Sequence, residues 1–137
     1  MLFRKELVAQ LMLHVLAHYR EQKKYDLHEF VIMPDHIHLL LTPAADISLE
    51  RTMQLIKGGF SYRLGRTPPD NANKHLIWQE SFTNHRIRNE QDFAQRADYI
   101  RMNPVRARLA ERPELYPYSS AGCESYVRHC RTADATG

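Results

Sequence analysis

The sequence predicts a single α+β domain in which helices pack on an antiparallel sheet. Three features indicate this class: an amphipathic helical stretch near the N-terminus, a β-hairpin turning at Pro34-Asp35, and two later stretches with helical spacing. A chain of 137 residues is long enough for one buried core and too short for several. We assign residues 1–122 to this domain and expect residues 123–137 to form a flexible C-terminal tail.

The hairpin carries two histidines on one face. Its arms are predicted at residues 27–33 and 36–42, after a first helix that ends near Glu21. Because side chains alternate along a strand, His36 and His38 point one way while the apolar residues between them point the other. Two imidazoles on a rigid strand can form half of a divalent-metal site. A half-buried strand whose histidines face solvent is the other interpretation of the same pattern.

A second helix is predicted from Ser48, its N-cap, to about residue 64. The pair Gly58-Gly59 lies inside it, which suits either the close approach of a backbone or phosphate or tight packing on the sheet. Cations and an aromatic ring lie together here, at Lys57, Tyr62, Arg63 and Arg66. This mixture suits contact with a single-stranded nucleic acid, and it is also normal for a solvated helix edge.

Residues 76–78 and 82–88 are predicted to form one bent strand or a pair of short ones, followed by a third helix capped by Asn89. Arg86 and Arg88 would share one face of the strand and are candidate phosphate contacts, with ordinary surface charge as the alternative.

Tyr99 and Asn103 would share a face of the third helix, about 6 Å apart, if that helix continues. Pro104 disfavours helical geometry at Asn103. The local sequence therefore favours Asn103 as the cap of a short following helix that begins with Pro104.

Charge, cysteine content and hydropathy limit the kinds of partner and the cellular compartment that we expect for this protein. The net charge of +3 and the pI near 9.0 allow a polyanionic partner without requiring one. Two cysteines, Cys123 and Cys130, are expected to be free thiols. No apolar run approaches the ~20 residues of a membrane span, and Met1–Lys5 lacks a signal-peptide core. We therefore expect a cytoplasmic protein with no membrane partner.

Five segments together resemble the Y1 (HUH) tyrosine transposase family of single-strand transposases, and most closely its branch associated with repetitive extragenic palindromes (REP). In chain order they are FVIMPDHIHLL from Phe30, IKGGF from Ile56, IWQESF from Ile77, YIRMNPVRA from Tyr99 and YPYSS from Tyr116. They cover roughly residues 3 to 120, and their ordered combination is highly specific.

This resemblance implies an HUH endonuclease with a ferredoxin-like fold and a central antiparallel sheet, usually a homodimer, that nicks single-stranded DNA beside a hairpin. His36 and His38 match the family's metal-binding pair, Tyr99 matches the nucleophile, and Asn103 matches the polar residue that completes the metal site. The donor set is compatible with Mg²⁺ or Mn²⁺. The expected reaction is attack on phosphorus that leaves a 5′-phosphotyrosine and a free 3′-hydroxyl.

One departure from the family pattern affects the functional expectation. The family ordinarily begins with a strand in the middle of the sheet, and here the first helix starts almost at Met1. Either the gene start is displaced, or the sequence is truncated, or another segment or subunit fills that slot. If the slot is empty, the sheet exposes backbone groups beside the hairpin, which favours strand swapping or aggregation. A catalytically inactive or domesticated hairpin-binding protein is therefore the alternative function. A barrel-type metallohydrolase would need about 250 residues and is not supported.

Overall fold

The structure is a computed structural model that describes residues 6–65, 82–83 and 89–123, with residues 82 and 83 described by their backbone alone. The elements follow in the order α1 (Glu6–Glu21), β1 (Tyr25–Ile32), β2 (Ile37–Pro43), α2 (Leu49–Leu64), β3 (Phe82–Thr83), α3 (Glu90–Arg106) and a 3₁₀ turn at Pro113–Leu115. The predicted α+β class is confirmed. Of the predicted tail, only Cys123, a free thiol, lies within the described residues.

Strands β1 and β2 form the predicted antiparallel hairpin, closed by a hydrogen bond that the Met33 amide donates to the His36 carbonyl over 2.8 Å. Their register runs from Tyr25 opposite Pro43 to Ile32 opposite Ile37. One irregularity lies between Leu27 and Glu29, where His28 is the extra residue of a bulge. The bulge resets the alternation, so that Leu27 and Phe30 both face the same core.

The short strand β3 runs parallel to β2, pairing Phe82 with Ile37 and Thr83 with His38. This pairing was not indicated by the sequence. A helical connection, here α2, is the ordinary way to join two parallel strands. In a ferredoxin-like sheet a central strand would separate these two, whereas here they are direct neighbours over two residues. The described residues are thus consistent with an HUH-type fold, and the usual central first strand is not among them.

The sheet is covered on both faces. On one face α1 and α2 enclose the first core, which includes Met12, Phe30, Ile37, Ile56 and Phe60. On the other face α3 encloses a smaller second core, whose buried members are Val31, Met33, Leu40, Ala97, Ile100 and Tyr116. Alternate residues of β2 therefore enter different cores, and α3 lies on the face that also carries His38.

Helices α1 and α2 approach closely at Gly59. A Cβ atom at Gly59 would lie 2.8 Å from Cε2 of Tyr19, a residue of α1, whereas a Cβ at Gly58 would meet nothing within 4 Å. Of the two interpretations of the glycine pair, tight packing is the one observed for Gly59. The packing partner is helix α1, however, and not the sheet.

The segment after the 3₁₀ turn closes the outer edge of β1. The Ile32 amide donates to the Tyr118 carbonyl over 2.8 Å, and the Ser120 amide donates to the Phe30 carbonyl over 2.9 Å. The Tyr116 hydroxyl also donates to the Ile32 carbonyl over 2.6 Å. This segment thus supplies backbone partners to an edge strand. None of the described helices is long and apolar enough to cross a membrane.

Candidate active site

The two histidines lie together at the hairpin end of the sheet. The ring centroids of His36 and His38 are 4.7 Å apart, and the ring planes are nearly perpendicular at 88°. Ile37 and Leu39 point into the first core, so the predicted alternation of faces is confirmed. The alternative in which both histidines face solvent is wrong for His38, which is only 8% exposed because α3 covers its face.

Asp35 in the turn fixes the ring of His36. Its Oδ1 atom lies 2.6 Å from Nδ1 of His36. This hydrogen bond holds the pKa of the Asp35 carboxyl below its usual range. When Nδ1 carries the proton and donates it to the carboxylate, Nε2 is left as the nitrogen that can bind a metal. Asp35 was described from the sequence only as a turn residue, so this role was missed.

Tyr99 lies beside His38 on the same side of the sheet. The two ring centroids are 5.6 Å apart, and the rings meet edge to face at 89°. Tyr99 is 45% exposed, although α3 packs against the second core. The phenol is therefore both close to the imidazoles of its own chain and accessible to a substrate.

Helix α3 continues without a break through Asn103 and ends at Ala107, its C-cap. The prediction that Asn103 caps a separate short helix is wrong. Pro104 is tolerated inside the helix because it is buried on the same side as Ala97 and Ile100, so that packing offsets the lost amide hydrogen bond. Asn103 consequently follows Tyr99 by one turn on a continuous helix and shares its face.

Arg106 is a member of this site that was not identified from the sequence. Its guanidinium carbon lies 4.8 Å from the centroid of the Tyr99 ring, within the range of a cation–π interaction. Residues 99, 103 and 106 follow the i, i+4, i+7 spacing of a single helix face. That spacing was the available signal.

Glu29 ties α3 to the hairpin. Its Oε1 atom lies 3.4 Å from Nε of Arg101 and accepts a hydrogen bond from Oγ of Ser120 over 3.3 Å. Burial raises the pKa of the Glu29 carboxyl, and the Arg101 charge and the Ser120 hydrogen bond act in the opposite direction. One carboxylate thus joins β1, the C-terminal segment and the helix that carries Tyr99.

None of the predicted DNA contacts that the structure describes lies beside the histidine pair. Lys57 and Arg63 belong to α2, which packs on the opposite face of the sheet from α3. Arg63 also donates a hydrogen bond to the Gly59 carbonyl over 3.2 Å. Arg66, Arg86 and Arg88 lie outside the described residues.

The residues around the histidine pair fit a divalent cation in their chemistry. Imidazole and amide ligands are accepted by Mn²⁺, and they leave coordination positions for phosphate oxygens and water. Among the described residues, no three or more histidine, cysteine, aspartate or glutamate side chains converge as a metal-binding group. The Asn103 amide, on the α3 face that carries Tyr99, is a candidate ligand of another type.

Comparison with known proteins identifies related sequences. The family model described as "Transposase IS200 like" matches residues 1–103. A REP-associated tyrosine transposase of Escherichia coli K12 is 27% identical over 112 residues, which cover 81% of this chain and 63% of that protein. A putative REP-associated tyrosine transposase of Haemophilus influenzae is 38% identical over 96 residues, covering 65% of this chain and 54% of that protein. No solved structure matches. The chain thus spans between half and two thirds of the length of these relatives.

Proposed function

Because this chain belongs to the IS200-like family of tyrosine transposases, we propose that it is a metal-dependent single-strand DNA transposase. It would cut DNA beside a hairpin and rejoin the strand through a 5′-phosphotyrosine. The supporting observation is that the Tyr99 ring lies 5.6 Å from the His38 ring, within one chain and on one side of the sheet. The names of two relatives, REP-associated tyrosine transposases, point to the same chemistry.

The residues divide the reaction between them. The Tyr99 phenol loses its proton to water as its oxygen attacks the scissile phosphorus. The bond from phosphorus to the 3′ oxygen breaks, and that oxygen takes up a proton and leaves as a 3′-hydroxyl. Attack by another 3′-hydroxyl on the phosphotyrosine reverses these steps and joins two strands without ATP, because the phosphodiester bond energy is retained. Helix α3, anchored through Ile100 in the second core, holds the phenol against the hairpin.

His36, His38 and Asn103 would hold the divalent cation, Mg²⁺ or Mn²⁺. When bound, the cation supplies charge that polarises the phosphate oxygens and orients the phosphorus for in-line attack. Asp35 sets the orientation of His36, and burial fixes the ring of His38. The proposed partners are a hairpin-bearing single strand and a second copy of the chain. The candidate contacts for DNA outside the catalytic site remain the five basic residues predicted from the sequence: Lys57, Arg63, Arg66, Arg86 and Arg88.

Covalent capture tests this function. The probe is a single-stranded oligonucleotide that contains a palindromic repeat from the DNA flanking the gene. One preparation is labelled at the 5′ end and a second at the 3′ end. With Mg²⁺ or Mn²⁺ the protein should form a covalent adduct that survives denaturing electrophoresis, and Tyr99→Phe should form none. Tyr62→Phe, which alters a 61% exposed tyrosine on α2, is the matched control and should capture normally. Equal capture by Tyr99→Phe would remove Tyr99 from the mechanism.

One observation favours a second candidate function, a hairpin-binding protein without catalysis. Among the described residues, β2 pairs on its second side only at Ile37 and His38, where the family places a full central strand. An incompletely supported β2 could leave the imidazoles poorly held. In that case the oligonucleotide would bind with no adduct at any Mg²⁺ or Mn²⁺ concentration.

A further inference from the structure

Arg106 is an exposed cation in direct contact with the proposed nucleophile. Its guanidinium carbon lies 4.8 Å above the Tyr99 ring, and it follows Tyr99 by two helical turns. Over the described part of the chain, no carboxylate forms an ion pair with Arg106, whereas Arg96, Arg101 and Arg112 each have one. Two turns apart on one face, the phenol and the guanidinium border the same open surface.

We propose that Arg106 is a catalytic residue, whose guanidinium stacks on Tyr99 and binds the non-bridging oxygens of the scissile phosphate. This inference rests on the proposed function and adds a substrate contact to it. A planar guanidinium can lie over an aromatic ring and direct its N–H donors to phosphate oxygens at the same time. It would therefore bring the phosphorus to the phenol and offset the negative charge that develops as the new bond forms.

An arginine at position 106 also has a simpler explanation, and the test must distinguish the two. A cation in the last turn of a helix interacts favourably with the helix dipole, and lysine serves as well as arginine there. Phosphate binding by a stacked, forked group depends in contrast on the shape of the side chain, so lysine should replace it poorly.

The test compares single-turnover capture rates of Arg106→Gln, Arg106→Lys and Arg108→Gln on the oligonucleotide described above. Arg108→Gln is the matched control, because it removes the same charge two residues later from an exposed side chain. Arg106→Gln should slow capture by about 100-fold, the usual loss for one donor to a developing charge. Its dissociation constant for the oligonucleotide should change by less than about threefold, since one phosphate contact among many is lost. Arg106→Lys should recover only part of the rate, and Arg108→Gln should stay within about twofold of the unmodified protein.

A neutral methylphosphonate at the mapped cleavage position isolates the phosphate contact. With this probe the rate difference between the unmodified protein and Arg106→Gln should nearly disappear, because the charge that Arg106 binds has been removed. An undiminished 100-fold difference would overturn the phosphate contact. A normal rate for Arg106→Gln, full activity of Arg106→Lys, or an equal loss in Arg108→Gln would overturn the catalytic role. Absence of capture by the unmodified protein would overturn the proposed function together with this inference, and is thereby distinguished from failure of Arg106 alone.

Discussion

The ring of His38 meets the ring of Tyr99 edge to face, with the centroids 5.6 Å apart, inside a single chain. The two side chains come from β2 and α3, which are separated by α2 and β3 in the sequence. Their contact means that one chain carries both halves of the proposed site.

Tyr99 is therefore predicted to act with the histidines of its own chain. Proteins carrying Tyr99→Phe and His38→Gln should each fail to capture the oligonucleotide, and a mixture of the two should fail as well. A site shared between two subunits would restore activity in mixed dimers, because half of each such dimer would be intact. Recovery of adduct on mixing, measured by denaturing electrophoresis, would contradict the prediction.

Loss of the Asp35 carboxylate should weaken metal binding more than folding. Asp35→Ala removes the group that orients His36, and residues in this supporting position typically change metal affinity by about 10- to 100-fold. The Mn²⁺ concentration for half-maximal capture should rise by a factor in that range. Asp46→Ala, an exposed aspartate in the turn after β2, is the control and should leave this concentration unchanged.

Asn89, the N-cap of α3, and Asn103, inside that helix, should differ in their contribution to stability. Asn89 accepts a hydrogen bond from the Asp92 amide over 2.8 Å, so Asn89→Ala should lower the free energy of unfolding by about 1 kcal/mol. Asn103 lies inside the helix, and Asn103→Ala should cost nothing or be slightly stabilising, because alanine is the better helix former. Urea denaturation measures both. A loss of about 1 kcal/mol at Asn103 would restore the capping interpretation.

Glu29 gives the fold a specific pH dependence. A carboxyl whose pKa is raised in the folded state contributes stability that is fully present below its ordinary pKa of 4.5 and is lost as the pH rises through the higher folded value. The free energy of unfolding of the unmodified protein should therefore fall relative to that of Glu29→Gln as the pH rises above 4.5. Other titrating groups are common to both proteins and cancel. The opposite trend would mean that the attraction of Arg101 outweighs the cost of burial.

The adjacent glycines of α2 provide a matched pair. Gly58→Ala meets open space and should raise the free energy of unfolding by about 0.5–1 kcal/mol, since alanine is favoured in helices. Gly59→Ala must displace the Tyr19 ring and should gain less or lose stability. Thermal or urea denaturation of the two variants gives the comparison. An equal increase in the free energy of unfolding for both variants would show that the Tyr19 ring moves aside without loss of stability.

The features that follow a simple local rule could be predicted from the sequence. Strand alternation put His36 and His38 on one face. Helical spacing put Asn103 on the face of Tyr99 only if the helix continued, and the backbone preference at Pro104 indicated that it did not. The local rule failed at Pro104, where burial in the folded domain overrides a backbone preference. Contacts that join distant segments, such as Glu29 with Ser120, leave no periodic signal. The spacing of Arg106 from Tyr99 could have identified it, but an arginine in the last turn of a helix is common and does not by itself indicate a site.

The two sides of the β1–β2 hairpin differ in how far their backbone groups are paired. Tyr118 and Ser120 already occupy the outer side of β1, whereas the free side of β2 has only a two-residue neighbour within the described residues. Among the described residues, a strand that extends this sheet would therefore lie on the side of β2 and β3, next to the strand that carries His38. A partner that adds a strand there would bind beside the candidate active site.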